Sequence, residues 1–144
     1  MQFIEEKNDL FNYTGKAWLA HCISADFGMG KGIVCEFNKR YNLKNYMMNH
    51  FVQNNWYGKG YCLPVEQFKV FNLVTKKKYY QKPTYSTLKH ALIEMKKYAM
   101  LHGIHTIAMP LIGCGLDGLS WEIVRKIIQD YFKNTDIKII VCKL

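Results

Sequence analysis

Met109-Pro110-Leu111-Ile112-Gly113-Cys114-Gly115-Leu116-Asp117 is where an apolar strand pattern breaks into two glycines one residue apart and ends on a carboxylate. Gly113 and Gly115 lack a Cβ, so the chain there can take positive φ and bring its N–H groups close to an anion. Ser120 stands where it can cap the helix that follows, whose N-terminal dipole also favours negative charge. The stretch reads either as a phosphate-wrapping loop or as a tight strand-to-helix connection in which the glycines only turn the chain, and a short glycine motif alone does not separate the two. A second loop upstream, Gly28-Met29-Gly30-Lys31-Gly32, opens onto the helical pattern Ile33-Val34-Cys35-Glu36-Phe37. Two such loops can clasp one diphosphate, with Lys31 either adding a charge beside it or solvated on the turn. Neither loop has Walker A spacing, and the first lacks the six-residue dinucleotide fingerprint.

Working outward, Gln2 to Glu5 reads as a short edge strand and Ala17 to Ile23, nearly continuous in apolar character, as a buried one. A helix beginning near Gly32 is followed by a polar, aromatic stretch with no element assigned. Strands are expected at Tyr61 to Pro64 and Phe68 to Val74, with Lys76 just beyond the second. Pro83-Thr84 opens a long helix whose apolar positions are Leu88, Ala91, Leu92, Met95 and Ala99, and Gly103 is placed to end it. Ile104 to Met109 is the next strand, Val124, Ile127, Ile128 and Tyr131 mark another amphipathic helix, and Ile137 to Cys142 is a further strand. Alternating strands and helices predict an α/β fold with a mixed, largely parallel sheet. Ligands in such folds gather at the carboxyl ends of the strands, where both glycine loops and Lys76 fall.

The chain has 144 residues, 49% of them hydrophobic and 15% aromatic, enough for one domain spanning 1–144 with its own core. It carries no internal repeat or Pro/Ser-rich linker, its apolar runs are too short to span a membrane, and Met1 to Glu6 does not resemble a signal peptide. An intracellular location is expected: cytoplasmic, or nuclear in a eukaryotic source. The five cysteines are scattered and unpaired in spacing, which predicts reduced thiols. Cys22, Cys35 and Cys142 are expected in the core, and Cys114 between its glycines for compactness rather than nucleophilicity. His21 reads as a structural histidine that could also touch a ligand, and no metal site is expected. The net charge of +9 favours an anionic partner. Lys76-Lys77-Lys78-Tyr79-Tyr80 with Lys82 reads either as a nucleic-acid patch or as a solvated basic loop.

The chain resembles the macrodomains, and within them the terminal ADP-ribose protein glycohydrolases. The matching pieces are Asp9-Leu10-Phe11, Ala20-His21-Cys22-Ile23-Ser24, Met29-Gly30 with Gly32, Thr75-Lys76-Lys77, Lys82-Pro83-Thr84-Tyr85, Ile112-Gly113-Cys114-Gly115-Leu116-Asp117 and Asp136-Ile137-Lys138-Ile139. The resemblance runs from Asp9 to Leu144. It implies a three-layer α/β/α macrodomain holding ADP-ribose across the strand ends. By similarity, Asp9 and Leu10 would contact the adenine end, and Ser24 with Gly30 and Gly32 the phosphate and distal-ribose region. Leu111, Ile112, Gly113, Cys114, Gly115, Leu116 and Asp117 would follow the diphosphate and distal ribose, with Leu144 near the adenosine.

The family's catalytic pair, a lysine and an aspartate, maps onto Lys76 and Asp117. The implied chemistry is an amine attack on the distal ribose, through a Schiff base, with a carboxylate moving protons. The attacking lysine must be neutral, and Lys77 and Lys78 are expected to favour that form by like-charge repulsion. His21-Cys22-Ile23-Ser24 stands where other branches are Asn-Ala-rich, which favours the lysine-dependent branch. The chain departs from the pattern at Asn8, where glycine is expected, and at Lys31 and Leu111. These departures bear on phosphate contacts or acceptor choice and leave the pair intact.

The function implied is removal of mono-ADP-ribose from acidic protein side chains, with activity on O-acetyl-ADP-ribose, by a monomer that needs no cofactor. One alternative changes the acceptor to a DNA base, as in antitoxin macrodomains. Another is a non-catalytic ADP-ribose reader, and a third a basic nucleic-acid module that leaves the glycine loops unused. The expected partners are ADP-ribose and ADP-ribosylated protein, with ADP-ribosylated nucleic acid under the first alternative and no membrane.

Overall fold

The computed structural model describes all of Met1–Leu144. Strand β1 (Gln2–Lys7) leads through a 3-10 turn (Leu10–Tyr13) into β2 (Trp18–Ser24). Helices α1 (Ile33–Tyr41) and α2 (Leu43–His50) precede β3 (Tyr61–Val65) and β4 (Val70–Lys76). Then come α3 (Tyr85–Leu101), β5 (Thr106–Met109), α4 (Trp121–Phe132) and β6 (Lys138–Lys143). The strands form one six-stranded sheet in the order β1-β6-β5-β2-β4-β3. Every pairing is parallel except that of β3 with β4.

Parallel strands here are apolar on both faces because helices cover both. Leu19, Ile23, Val70, Val74, Ala108 and Ile140 pack with Phe37 of α1 and with Leu43 and Met47 of α2. Ala20, Phe71, Leu73, Ile107, Ile139 and Val141 face the other way, onto α3 and α4. The result is the three-layer α/β/α arrangement.

The long helix follows its sequence closely. Thr84 and Thr87 exchange hydrogen bonds of 3.1 Å in each direction as a capping box. All five expected apolar positions of α3 are buried, and Gly103 takes φ +65 just past its end. At Gly60 an added Cβ would lie 1.8 Å from the Thr87 carbonyl oxygen, so only glycine lets the chain entering β3 pass this close to α3. The stretch left without an element contains α2, which starts after Asn42 in the left-handed region and buries only Leu43 and Met47. Two anchors at i,i+4 in an otherwise polar segment give little periodicity, and docking against the sheet supplies what the sequence pattern does not.

Cys62 and Cys142 are buried, whereas Cys22, Cys35 and Cys114 are half-buried. Cys35 was expected in the core, but it lies two residues before Phe37, the one buried side chain of α1, and so on the other side of the helix. No helix is long and apolar enough to cross a membrane.

Candidate active site

Five parallel strands end on the same edge of the sheet, so the segments that follow them stand side by side. In spatial order these are Asp9 and Leu10 after β1, Leu144 after β6, the Leu111–Asp117 loop after β5, the Ser24–Gly32 loop after β2, and Lys76 at the end of β4. From β1 to β4 this row spans four strand spacings, roughly 19 Å. That row has the length of a long, extended ligand.

At one end of the row Lys76 Nζ donates to Asp117 Oδ1 at 2.7 Å, across 41 residues of chain. Both side chains are mostly enclosed, with 15% and 17% exposure. A contact of this length is a charge-assisted hydrogen bond, and screening by water is weak at this depth. It is the sole hydrogen bond that either side chain makes. The two thiols nearby are poor nucleophiles. Burial and then the Asp117 charge push Cys22 up to about 12, and the same causes in the same order push Cys114 up to about 11. Cys114 Sγ donates to the Ile112 carbonyl at 3.3 Å, in keeping with a packing role.

The loops around the pair are tied to one another. Asp26 Oδ1 accepts from Ser24 Oγ at 2.5 Å and from Gly28 N–H at 3.1 Å, while Oδ2 accepts from Tyr79 N–H at 3.1 Å. Partial burial alone would raise the Asp26 carboxyl, but the hydrogen bonds from Ser24, Tyr79 and Gly28 outweigh it and hold the group below its ordinary value. Phe27 between these anchors is fully buried at φ +59, a costly conformation for a bulky residue that the Asp26 bonds secure. Tyr79 lies so close that a Cβ on Gly28 would sit 2.8 Å from the Tyr79 Cβ. Ala25 N–H binds the Lys76 carbonyl at 2.9 Å, and Lys82 Nζ donates to the Leu116 carbonyl beside Asp117. Leu116, in turn, lies against Gly32. Three loops thus close a ring about Lys76 and Asp117.

The structure sorts the sequence-derived residues. Gly113 has φ +74 and Gly32 φ +76, as the anion-loop reading requires, but Gly115 does not take positive φ. That conformation falls at Gly118, φ +77, because the turn closes from Gly118 N–H to the Gly115 carbonyl at 3.2 Å. Gly30 is open, with nothing within 4 Å of an added Cβ. Ser120 occupies the N-cap position of α4 but its side chain makes no capping bond, and its own N–H donates to the Tyr85 hydroxyl at 2.9 Å.

Leu10 and Ile112 are core residues, 3% and 1% exposed, so they can offer a ligand little but backbone. Asp9 caps the 3-10 turn by accepting from Phe11 N–H at 2.9 Å. Ser24 is buried with its hydroxyl committed to Asp26, Leu111 is half-buried, and Leu116 and Leu144 are exposed.

His21 does not reach the cleft. It is buried, stacked on Phe37 at 3.8 Å, with Nε2 2.6 Å from Asn72 Oδ1. Since Asn72 Nδ2 already donates to the Leu63 carbonyl at 3.0 Å, Nε2 carries the proton and donates. Burial holds this imidazole down at about 4 against the Asn72 bond. Sequence reasoning missed Asp26 as the organiser of the loops. The spacing Ser24-Ala25-Asp26-Phe27-Gly28 was the available signal, an Asp poised to bind backbone N–H two residues on.

Comparison with known proteins agrees with this architecture. The family model described as Macro domain matches residues 52–128. The ADP-ribose glycohydrolase OARD1 of Homo sapiens is 40% identical over 138 residues, covering 96% of this chain and 89% of the human protein. Among solved structures, the macrodomain of Thermus aquaticus DarG superposes with a TM-score of 0.77 at 19% identity, covering 99% of both chains. Thermosipho africanus DarTG, solved in complex with ADP-ribose, gives a TM-score of 0.75 at 19% identity over all of this chain and 42% of that one. At such identities the structural likeness speaks for the fold, while the human relative and the matched family model speak for descent. The chain belongs to the Macro domain family.

Proposed function

We propose that this protein is an ADP-ribosyl hydrolase that releases mono-ADP-ribose from acidic protein side chains and deacetylates O-acetyl-ADP-ribose, with Lys76 as nucleophile and Asp117 as proton shuttle. The observation that carries the reading is the isolated 2.7 Å contact between two mostly enclosed, oppositely charged side chains at the end of the cleft. Similarity to a relative named ADP-ribose glycohydrolase supports it.

In this scheme Asp117 takes a proton from the Lys76 ammonium across the hydrogen bond. The freed amine attacks C1″ of the distal ribose, and the bond from C1″ to the acceptor oxygen breaks, so that the acceptor leaves as a carboxylate. The nitrogen-bound ribose opens to an imine and water adds at its carbon. The C–N bond then breaks as Asp117 returns the proton, giving ADP-ribose and regenerated Lys76. One water is consumed, and both residues recover their starting charge.

The glycine loops supply backbone N–H groups for the diphosphate, and the helix dipole of α1 starting at Gly32 adds favourable potential. Asp9, Leu10 and Leu144 receive the adenosine end, and the protein acts as a monomer.

A second reading keeps the chemistry and takes a nucleobase as acceptor. It is favoured by Tyr79 and Tyr80, 65% and 69% exposed among Lys77, Lys78 and Lys82. The test is ADP-ribose release from glutamate-linked ADP-ribosylated protein and from ADP-ribosylated single-stranded DNA, with wild type, Lys76→Ala and Asp117→Ala. Release by wild type alone, with ADP-ribose binding kept in a variant, is the expected result, and the faster substrate names the acceptor. A wild type that binds ADP-ribose and releases none is a reader, and the hydrolase proposal then falls.

A further inference from the structure

A second cavity opens beside Lys76, sharing that residue with the catalytic pair and no residue with either glycine loop. Its volume is about 430 Å³. Lys76, Lys77 and Lys82 line it together with Gln81, one wall is Trp56, and the first turn of α3 closes it through Thr84 and Thr87. No carboxylate lines it. Thr75, also in the lining, is 1% exposed and sits beside the Cys22 thiol, so it forms wall and not a group that a ligand reaches. With Lys76 committed to Asp117 and the ribose, the set offers the ammonium groups of Lys77 and Lys82, a side-chain amide and a helix N-terminus, all of which favour an anion with several acceptor oxygens.

We propose that this cavity is an acceptor subsite that binds an acidic residue flanking the ADP-ribosylated one, so that the protein selects modified sites within acidic peptide segments. The inference rests on the hydrolase reading above. The ribose must meet Lys76 from the glycine-loop side, which leaves the acceptor chain to emerge on the side that Lys77, Gln81 and Lys82 line. The leaving carboxylate then departs into positive potential, and a neighbouring carboxylate is held by the same lysines. A nucleic-acid strand fits the cavity less well. Tyr79 and Tyr80, the exposed rings on which a base would stack, do not line it, and they pack edge-on against each other at 5.4 Å and 88°.

Two peptides decide the matter, each mono-ADP-ribosylated on one glutamate, one with acidic flanking residues and the other with the matching amides. Wild type should show a kcat/KM roughly three- to tenfold higher for the acidic peptide, the size of one or two exposed ion pairs, carried mainly by KM. Lys77→Gln should abolish that preference, read as the ratio of the two rates, in which any effect of Lys77 on the Lys76 amine is common to both peptides and cancels. Lys77 is exposed, so the variant is expected to fold normally.

Equal rates on the two peptides, or a preference that survives Lys77→Gln, would overturn the proposal. So would stronger competition by a single-stranded oligonucleotide than by the unmodified acidic peptide, which would assign the cavity to nucleic acid. Release from the amide-flanked peptide tests the hydrolase reading independently. Should it fail, fluorescence anisotropy of the unmodified acidic peptide on the ADP-ribose-bound protein still decides: binding that Lys77→Gln weakens supports the subsite, and none refutes it.

Discussion

Two ion pairs in this molecule look alike by distance and differ in everything else. Glu5 of β1 and Arg125 of α4 meet in a two-pronged contact at 2.9 and 3.1 Å, Trp121 Nε1 adds a bond to Glu5 at 2.7 Å, and Lys143 stands 3.9 Å away. Every oxygen of Glu5 is bound. Lys76 and Asp117 share a single bond at 2.7 Å, although they are the less exposed of the two pairs. The saturated pair joins an edge strand to a helix, whereas the enclosed, half-satisfied pair has protons and lone pairs left to use. Deep charges with few partners are expensive, and they persist where chemistry requires them.

The largest way to break this contrast is Lys76→Ala. ADP-ribose release is expected to fall by roughly three orders of magnitude or more, with ADP-ribose binding kept within a few-fold and Tm little changed. Asp117→Asn should follow with a smaller loss, on the order of a hundredfold, since the amine keeps its place and loses its proton acceptor. Glu5→Gln should do the reverse: activity unchanged, Tm lower by roughly a few degrees in a thermal melt. An activity loss there, or a large Tm drop in Lys76→Ala, would collapse the distinction.

The pH profile of stability sharpens it further. The Arg125 hydrogen bonds, opposed by partial burial and aided by Trp121, hold the Glu5 carboxyl below its ordinary 4.5. Its contribution is therefore full above that value and is lost as pH falls through the lower folded one. His21 acts earlier. Its folded value near 4 lies below the ordinary 6.5, so the unfolded chain takes the proton first and stability declines as pH drops from 6.5 toward 4. Over that window the loss is on the order of 3 kcal/mol. His21→Gln should flatten the decline between those limits in Tm against pH, and Glu5→Gln only the part below 4.5.

The smallest expected effect tests the loop ring. Gly28→Ala puts a methyl 2.8 Å from the Tyr79 Cβ, which should lower kcat several-fold with little change in ADP-ribose affinity. Tyr79→Gly in the same chain should restore it, and failure of that rescue would separate the ring from catalysis.

The parts of the fold visible in the sequence were those in which local pattern and tertiary demand coincide. α3 carries its own cap, its 3.6-residue stripe and its terminating glycine, and the β2 run is apolar because both faces are covered. α2 was invisible because two buried side chains in eight residues make no periodic signal. Gly60 gave no hint of its contact with Thr87, which depends on where a helix many residues later lies. At the site, the residues proposed for the chemistry were nominated by type and resemblance. Those that organise its geometry were not: Asp26 works through backbone N–H groups on two separate loops, and the second positive φ of the Asp117 loop falls at Gly118 through the closure of one turn.

The strand order also sets a schedule. β1 pairs with β6 and with no other strand, so a chain emerging residue by residue has nothing to dock it against until Lys138–Lys143 has been made. β2, β4 and β3 find their partners earlier, and Lys76 with them, while β5 and the Asp117 loop arrive more than a helix later. Such long-range closure is slow compared with helix formation. Until β6 inserts between β1 and β5, the segment at Asp9 has no strand to hold it beside the rest of the row. Lys76 therefore meets Asp117 once β5 has paired with β2, and the row of loops reaches its full length only when β6 has closed the sheet.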